Sequence, residues 1–185
     1  LRVIDVKETV RVCHARGAKV VIDSTFASPI NHRALDDGAD LVIHSATKYL
    51  GGHHDLLAGS VTGSEEIVSP IRDAVGVLGG VLDSHAAWLL LRGLKTLSLR
   101  MQRHNENGQA VAEFLEGHSR VEKVYYPGLP SHRGHPIASE TMRGFGGLVT
   151  FLVKDADWKE TAAIVDAVKI PRIAPSLGGV ESLIE

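Results

Sequence analysis

Hydrophobic positions in the first part of the chain alternate between helical and strand spacing. Val6, Val10 and Cys13 recur at intervals of three and four residues, which predicts an amphipathic helix. Residues 19–23 and 40–44 are short, β-branched runs that are apolar on both faces, as buried parallel strands are. Helix and strand signals that alternate in this way predict an α/β fold, in which crossover helices connect the strands of one sheet.

Turn signals divide the following segments. Pro29 falls in a polar stretch that predicts a loop, and residues 33–37 are expected to form a short helix. A strand is predicted over 57–63, and a helix over 64–75 with Pro70 near its first turns.

The pattern changes after a long helical run. Apolar residues keep helical spacing over 84–116 without a proline, which predicts one long helix or two joined near Gly93 or around 100–105. We interpret this run as the connection between two lobes. The second lobe has strand signals at 121–128 and 146–153, separated by a Gly, Pro and His-rich loop (127–136) and followed by a helical pattern at 157–167, as in a smaller α+β unit.

The composition of the chain argues against several classes of function. The chain has 185 residues, of which 44% are hydrophobic and 23% charged, as in ordinary globular proteins. Its net charge of −2 leaves no basic stripe for nucleic acid, and no apolar run reaches the roughly 20 residues of a membrane span. The single cysteine, Cys13, excludes an internal disulfide and fits a reducing compartment. The chain lacks an initiator Met and a leader, and we expect both ends to continue into a longer protein.

Chemically capable side chains follow the two predicted parallel strands. Asp23 closes the first strand, and Lys48 follows the second by four residues. Ligands of open α/β sheets bind outside the carboxyl ends of the strands, so the two residues can converge on one crevice. A desolvated lysine can form a Schiff base with a carbonyl, and the hydroxyls of Ser45 and Thr47 suit a phosphate ester. Singly these residues are more often caps, turns or solvated groups, but together they describe a pyridoxal phosphate site.

Histidines do not indicate a metal site. His53 and His54 are adjacent, so they lack the four-residue spacing of a helical ligand pair, and we interpret residues 51–55 as a turn. His132 and His135 fall in the Gly and Pro-rich loop and are expected at the surface.

Several segments of the sequence together resemble a known family. "VIDSTFASP", "GADLVIHSATKYLGGHHDLLAGSVTG", "RGLKTLSLRMQRH", "VYYPGLPSH", "GFGG" and "APSLGGVESLI" are similar to the Cys/Met-metabolism family of pyridoxal phosphate enzymes over essentially the whole chain. The resemblance implies fold type I, the aspartate-aminotransferase-like fold. Residues 1–99 would be the C-terminal part of the large cofactor domain, and residues 100–185 an incomplete small C-terminal domain.

The resemblance also implies residue roles. Lys48 would be the Schiff-base lysine, Asp23 the partner of the pyridine nitrogen, and Ser45 and Thr47 phosphate ligands. Ser176 matches the position whose neighbourhood binds the substrate's α-carboxylate.

The chain departs from the family pattern at two positions. Ser24 stands where Asn is frequent, and Ala86 where Asp is common. A Gly-rich phosphate loop, a ring-stacking tyrosine and a Tyr/Arg pair from a neighbouring subunit would lie upstream. A carboxylate-binding arginine would lie beyond Glu185. We therefore expect this chain alone to be inactive.

The segment around Pro175 indicates which reaction of the family to expect. "KIPRIAPSLGGVES" resembles plant-type synthases of the family, which implies γ-replacement between an activated homoserine ester and cysteine to give cystathionine. Cystathionine γ-lyase, methionine γ-lyase and O-acetylhomoserine sulfhydrylase chemistry stay open, as does a catalytically silent subunit. The family further implies a homotetramer, built as a dimer of dimers with shared active sites, in the cytoplasm or a plastid, with amino-acid substrates and no nucleic-acid or membrane partner.

Overall fold

The computed structural model describes residues 1–185, which form seven helices and seven strands. The helices are α1 (Val6–His14), α2 (Ser28–Asn31), α3 (Glu65–Leu78), α4 (Ser84–Leu94), α5 (Leu97–Glu116), α6 (His135–Thr141) and α7 (Trp158–Ala167). The strands are β1 (Val21–Asp23), β2 (Leu41–Ser45), β3 (Gly59–Gly63), β4 (Val121–Tyr125), β5 (Thr150–Val153), β6 (Arg172–Ile173) and β7 (Leu183–Ile184). No helix combines the length and the apolar character needed to cross a membrane.

A three-stranded sheet in the order β1-β2-β3 organises the first part of the chain. β1 and β2 are parallel, as the sequence predicts, and β3 runs antiparallel to β2. α1 packs on this sheet because its apolar stripe covers the apolar faces of β1 and β2. The cluster consists of Val6, Val10, Val20, Ile22, Ala34, Ala39 and Val42.

The segment between β1 and β2 corrects the sequence prediction. Pro29 lies in the first turn of α2 rather than in a loop, a position where the missing proline N–H costs no hydrogen bond. No helix covers residues 33–37, and residues 34–38 are a turn, because the amides of Asp36 and Asp37 bond three residues back, to Arg33 and Ala34. His32 also binds the Asp37 side chain at 2.9 Å.

The long helical run is two helices, one of the two predicted alternatives. It breaks after Leu94, where the amide of Thr96 turns back to the carbonyl of Gly93 at 3.1 Å. A side chain at Gly93 would overlap the backbone of Gly51, so glycine permits this contact with the loop that follows Lys48. The predicted boundary between residues 99 and 100 falls inside α5 and stays a prediction.

α5 connects the three-stranded sheet to the second part of the chain. Asn105 exchanges two side-chain hydrogen bonds with Asn31 of α2, at 2.8 and 2.9 Å. Further along, α5 packs on the antiparallel pair β4-β5 through Ala112 and Val124. α7 begins with a capping box between Asp157 and Glu160, close to the predicted start.

Candidate active site

The carboxyl ends of β1 and β2 lie side by side and are tied together by one threonine. The strands are in parallel register, with Asp23 opposite Ile43. The Thr25 hydroxyl donates to Asp23 Oδ1 at 2.6 Å and accepts the backbone N–H of Ser45 at 2.8 Å. The Asp23 carboxylate is therefore held against the end of the neighbouring strand, on the side from which the Lys48 turn continues.

Asp23 keeps one carboxylate oxygen free. Oδ1 also accepts the amide of Thr25 at 3.0 Å, whereas Oδ2 takes part in no hydrogen bond of this chain. Burial lowers the pKa of the neighbouring His44, and the Asp23 charge opposes that shift. An anionic group in this position can receive a proton donor such as a pyridinium nitrogen.

Lys48 lies in the turn that leaves β2. Its amide bonds the carbonyl of Ser45 at 3.1 Å, and its carbonyl accepts the amide of Gly52 at 2.8 Å. Its Nζ donates to Ser176 Oγ at 3.1 Å and forms no ion pair with a carboxylate. The amine is thus half-buried but not neutralised by a fixed charge, as a lysine that reacts with a carbonyl requires.

Two hydroxyls flank this turn. Thr47 Oγ1 accepts the amide of Ala58 at 3.0 Å and lies 3.4 Å from its carbonyl, so it ties the lysine turn to the segment before β3. The Ser45 hydroxyl makes no hydrogen bond within this chain and stays available to a ligand.

Ser176 reaches Lys48 because two glycines allow a close approach. Gly178 is buried with φ +82°, and a Cβ there would lie 2.6 Å from the Tyr49 amide. Gly179 faces the ring of His54 in the same way, with no space for a side chain. The segment 174–179 can therefore pack against the lysine turn, 128 residues away in sequence.

The same segment borders a cavity of about 810 Å³. Thr47, His54 and Ser176 line it together with the carboxylates of Asp55, Asp83 and Glu181, and with Arg172. Pro175 is exposed and is not part of this lining.

Hydrogen bonds of Arg100 and Tyr49 stabilise the lysine turn. Arg100 donates to the carbonyls of Tyr49 at 2.7 Å and Gly93 at 2.9 Å. Burial raises the pKa of the Tyr49 hydroxyl, which accepts the Gly147 amide at 3.0 Å. These contacts fix the backbone that carries Lys48.

The structure brings together Lys48 and Ser176, and places Asp23, Ser45 and Thr47 at one edge of the sheet. Sequence reasoning missed Thr25, although its position two residues after an aspartate at a strand end is a known turn signal. It also assigned His54 to a plain turn, whereas the His54 ring lies 3.4 Å from Ser176 Oγ.

The donor set fits pyridoxal phosphate. A lysine amine free of ion pairs, an unused carboxylate oxygen on Asp23 and an unbonded Ser45 hydroxyl match the aldehyde, ring nitrogen and phosphate of that cofactor. The model of the Cys/Met metabolism PLP-dependent enzyme family matches residues 1–185. The chain belongs to this family. Family membership confirms the predicted fold class and the dependence on pyridoxal phosphate.

Relatives in this family carry out several reactions. The chain is 53% identical over 185 residues to chloroplastic cystathionine gamma-synthase 1 of Arabidopsis thaliana. The match includes 100% of this chain and 33% of that protein. The chain is 47% identical over 186 residues to cystathionine beta-lyase of Lactococcus lactis subsp. cremoris (strain MG1363), and covers 48% of it. The chain thus spans between a third and a half of these relatives.

Solved structures agree with the fold. Cystathionine gamma synthase from Xanthomonas oryzae pv. oryzae, in complex with cystathionine, superposes with a TM-score of 0.95 at 41% identity, over 99% of this chain and 47% of that one. Cystathionine gamma-lyase from Lactobacillus plantarum, complexed with L-serine, gives 0.94 at 38% identity, over 99% and 48%.

Proposed function

We propose that the full-length protein joins an activated homoserine ester and cysteine by γ-replacement to give cystathionine. The observation that carries the proposal is the position of Lys48, whose amine contacts Ser176 while the turn that holds it leaves the sheet beside Asp23. The family's dependence on pyridoxal phosphate supports the proposal that this lysine holds that cofactor.

Each residue then has a definite task. Pyridoxal phosphate, when bound, supplies an electron sink for the negative charge that develops on the substrate's Cα. Lys48 would hold the cofactor through Nζ and would take and return protons at the substrate's Cα and Cβ. Asp23 would keep the ring nitrogen protonated, and Ser45 and Thr47 would donate to the phosphate. Ser176 would belong to the site of the substrate's α-carboxylate.

Synthase chemistry is preferred to lyase chemistry on two grounds. The plant synthases from Arabidopsis thaliana and Nicotiana tabacum are 53% and 54% identical to the chain, against 47% for the Lactococcus lactis β-lyase and 44% for a Dictyostelium discoideum γ-lyase. The second ground is Pro175, which offers neither an acid nor an N–H beside Ser176. A carbon–sulfur lyase is the second candidate, because those lyases match over the whole chain as well.

Rates on one preparation of the full-length protein test the choice. We expect cystathionine formation from the ester and cysteine to outrun cystathionine cleavage, by about 10- to 200-fold if a modest apolar difference decides. Pro175→Glu should shift this ratio toward cleavage, whereas Pro175→Ala, which adds no acid, should leave it close to the parent. Faster cleavage than formation in the parent protein would place it among the lyases.

Assembly and location are part of the proposal. We propose a homotetramer, a dimer of dimers whose subunits share active sites, in the cytoplasm or in a plastid if the source is a plant. Residues 1–99 would belong to the cofactor domain and residues 100–185 to the small domain.

A further inference from the structure

Lys48 stands at one end of a chain of polar contacts. Its Nζ donates to Ser176 Oγ at 3.1 Å, and Ser176 Oγ lies 3.4 Å from His54 Nδ1. The other ring nitrogen of His54, Nε2, lies 3.9 Å from Glu181 Oε2. Ser176, His54 and Glu181 all line the 810 Å³ cavity, so the Lys48 amine is connected to that lining.

Three features restrict the position of the His54 ring. Its backbone has φ +56°, a left-handed conformation that histidine adopts more readily than most side chains. Gly179 leaves room for the ring where a Cβ would overlap it. The side chain is only 23% exposed, and its Nε2 lies near the Glu181 carboxylate, 3.9 Å from Oε2. A plain surface turn does not require this combination.

The hydrogen bonds of Ser176 to His54 and to Lys48 can form at the same time. In the tautomer that carries its proton on Nε2, on the side of Glu181, His54 presents Nδ1 as an acceptor, and the Ser176 hydroxyl can then donate its hydrogen to the ring. The oxygen lone pairs of Ser176 then stay turned toward Lys48, which is the donor in the observed contact. Without the ring, the hydroxyl is free to rotate and to leave the amine.

We propose that His54 is a positioning residue that holds the Ser176 hydroxyl against the Lys48 amine. The inference rests on the role proposed for Lys48 above. It assigns to His54 a function that acts through Ser176 and that involves no bond from His54 to the reacting atoms.

The test measures the reactivity of Lys48 in the cofactor-free full-length protein. Trace acetylation with acetic anhydride near neutral pH, followed by peptide mass spectrometry, gives the labelling rate of Lys48 relative to the exposed Lys95. The Ser176 oxygen occupies one direction of approach to the Lys48 amine, so loss of this contact should leave the amine freer and speed labelling. Loss of one hydrogen bond corresponds to a change of about 3- to 10-fold.

Two different substitutions should remove the positioning. His54→Gly deletes the ring at a backbone conformation that glycine accepts, and Gly179→Ala displaces the ring while leaving His54 in the sequence. Both should raise the Lys48 rate by about 3- to 10-fold. His54→Asn tolerates the same backbone and places an amide near the position of Nδ1, so it should stay within about twofold of the parent.

A matched control and a double variant decide the mechanism. His85 lines the same cavity but stacks on Trp88, so His85→Asn should not change Lys48 labelling. Ser176→Ala should behave like His54→Gly, and adding His54→Gly to Ser176→Ala should have no further effect, because both remove one contact. Parent-like labelling in His54→Gly, or an additive effect in the double variant, would overturn the proposal.

The proposed function can fail separately. If the full-length protein showed no visible absorbance from pyridoxal phosphate bound to Lys48, the enzymatic role would be wrong. The labelling result would still report on the contact between His54, Ser176 and Lys48.

Discussion

Replacing Thr25 by Val should loosen the end of β2 and release Asp23. Valine has nearly the shape of threonine but no hydroxyl, so the substitution removes two hydrogen bonds with little change in volume. One is the donation to Asp23 Oδ1 at 2.6 Å, and the other is the acceptance of the Ser45 amide at 2.8 Å. The amide of Thr25 still bonds Oδ1, which isolates the effect of the hydroxyl.

The expected cost follows from the surroundings of the two bonds. A hydrogen bond to a charged group contributes about 1.5–3 kcal/mol, but Asp23 is exposed in this chain, and solvent screening lowers that to about 1 kcal/mol. The Ser45 amide loses an acceptor on a buried threonine, which costs about 1 kcal/mol more. The opening free energy of the β2 end should therefore fall by about 2 kcal/mol, a factor of roughly 30 in the opening equilibrium.

Amide hydrogen exchange on the full-length protein measures this directly. Peptides that cover 41–47 should exchange roughly 30-fold faster in Thr25→Val, while peptides from α5 should be unchanged. Thr25→Ser retains the hydroxyl and should exchange within about threefold of the parent. Equal exchange in Thr25→Val and the parent, or equal losses in the Val and Ser variants, would refute the bridge.

Three further changes test the site and its electrostatics. Lys48→Ala should abolish the visible absorbance of lysine-bound cofactor and nearly all turnover, and a retained band would remove Lys48 from its role. Asp23→Asn should keep cofactor occupancy but lose most turnover, since a neutral amide cannot hold a ring nitrogen protonated; a fully loaded and active variant would contradict this. Burial lowers the pKa of His44 below its usual 6.5, so the unfolded chain takes up that proton first as the pH falls, and stability drops below about pH 6.5. His44→Gln should reduce the fall in the urea midpoint between pH 7.5 and 5.5. Part of that pH dependence should remain, because burial also lowers the pKa of His104. An unchanged pH dependence would mean that His44 is not held neutral.

The sheet was predictable because its signals are local. Two β-branched runs that are apolar on both faces gave β1 and β2, and their parallel order placed Asp23 and the Lys48 turn at one edge. Residues 33–37 were predicted wrongly because the chain there closes turns with bonds three residues back, next to the side-chain bond between His32 and Asp37. α6 was missed because Gly and Pro signals around His135 indicate a loop, although proline in a first turn is compatible with a helix.

The contact between Ser176 and Lys48 could not be predicted from local sequence signals. Nothing local in residues 174–179 indicates what they touch, and only the family resemblance placed Ser176 near the substrate. The paired glycines explain why. Two adjacent glycines in a sequence are compatible with many turns. In the structure, a Cβ at Gly178 would meet the backbone of Tyr49, and a Cβ at Gly179 would meet the ring of His54. A pattern of residue types cannot show which distant group occupies the space that a missing Cβ leaves. Ser176 therefore owes its place beside the lysine to two residues that carry no chemistry, and substitution of either should disturb Lys48 without altering any group that reacts.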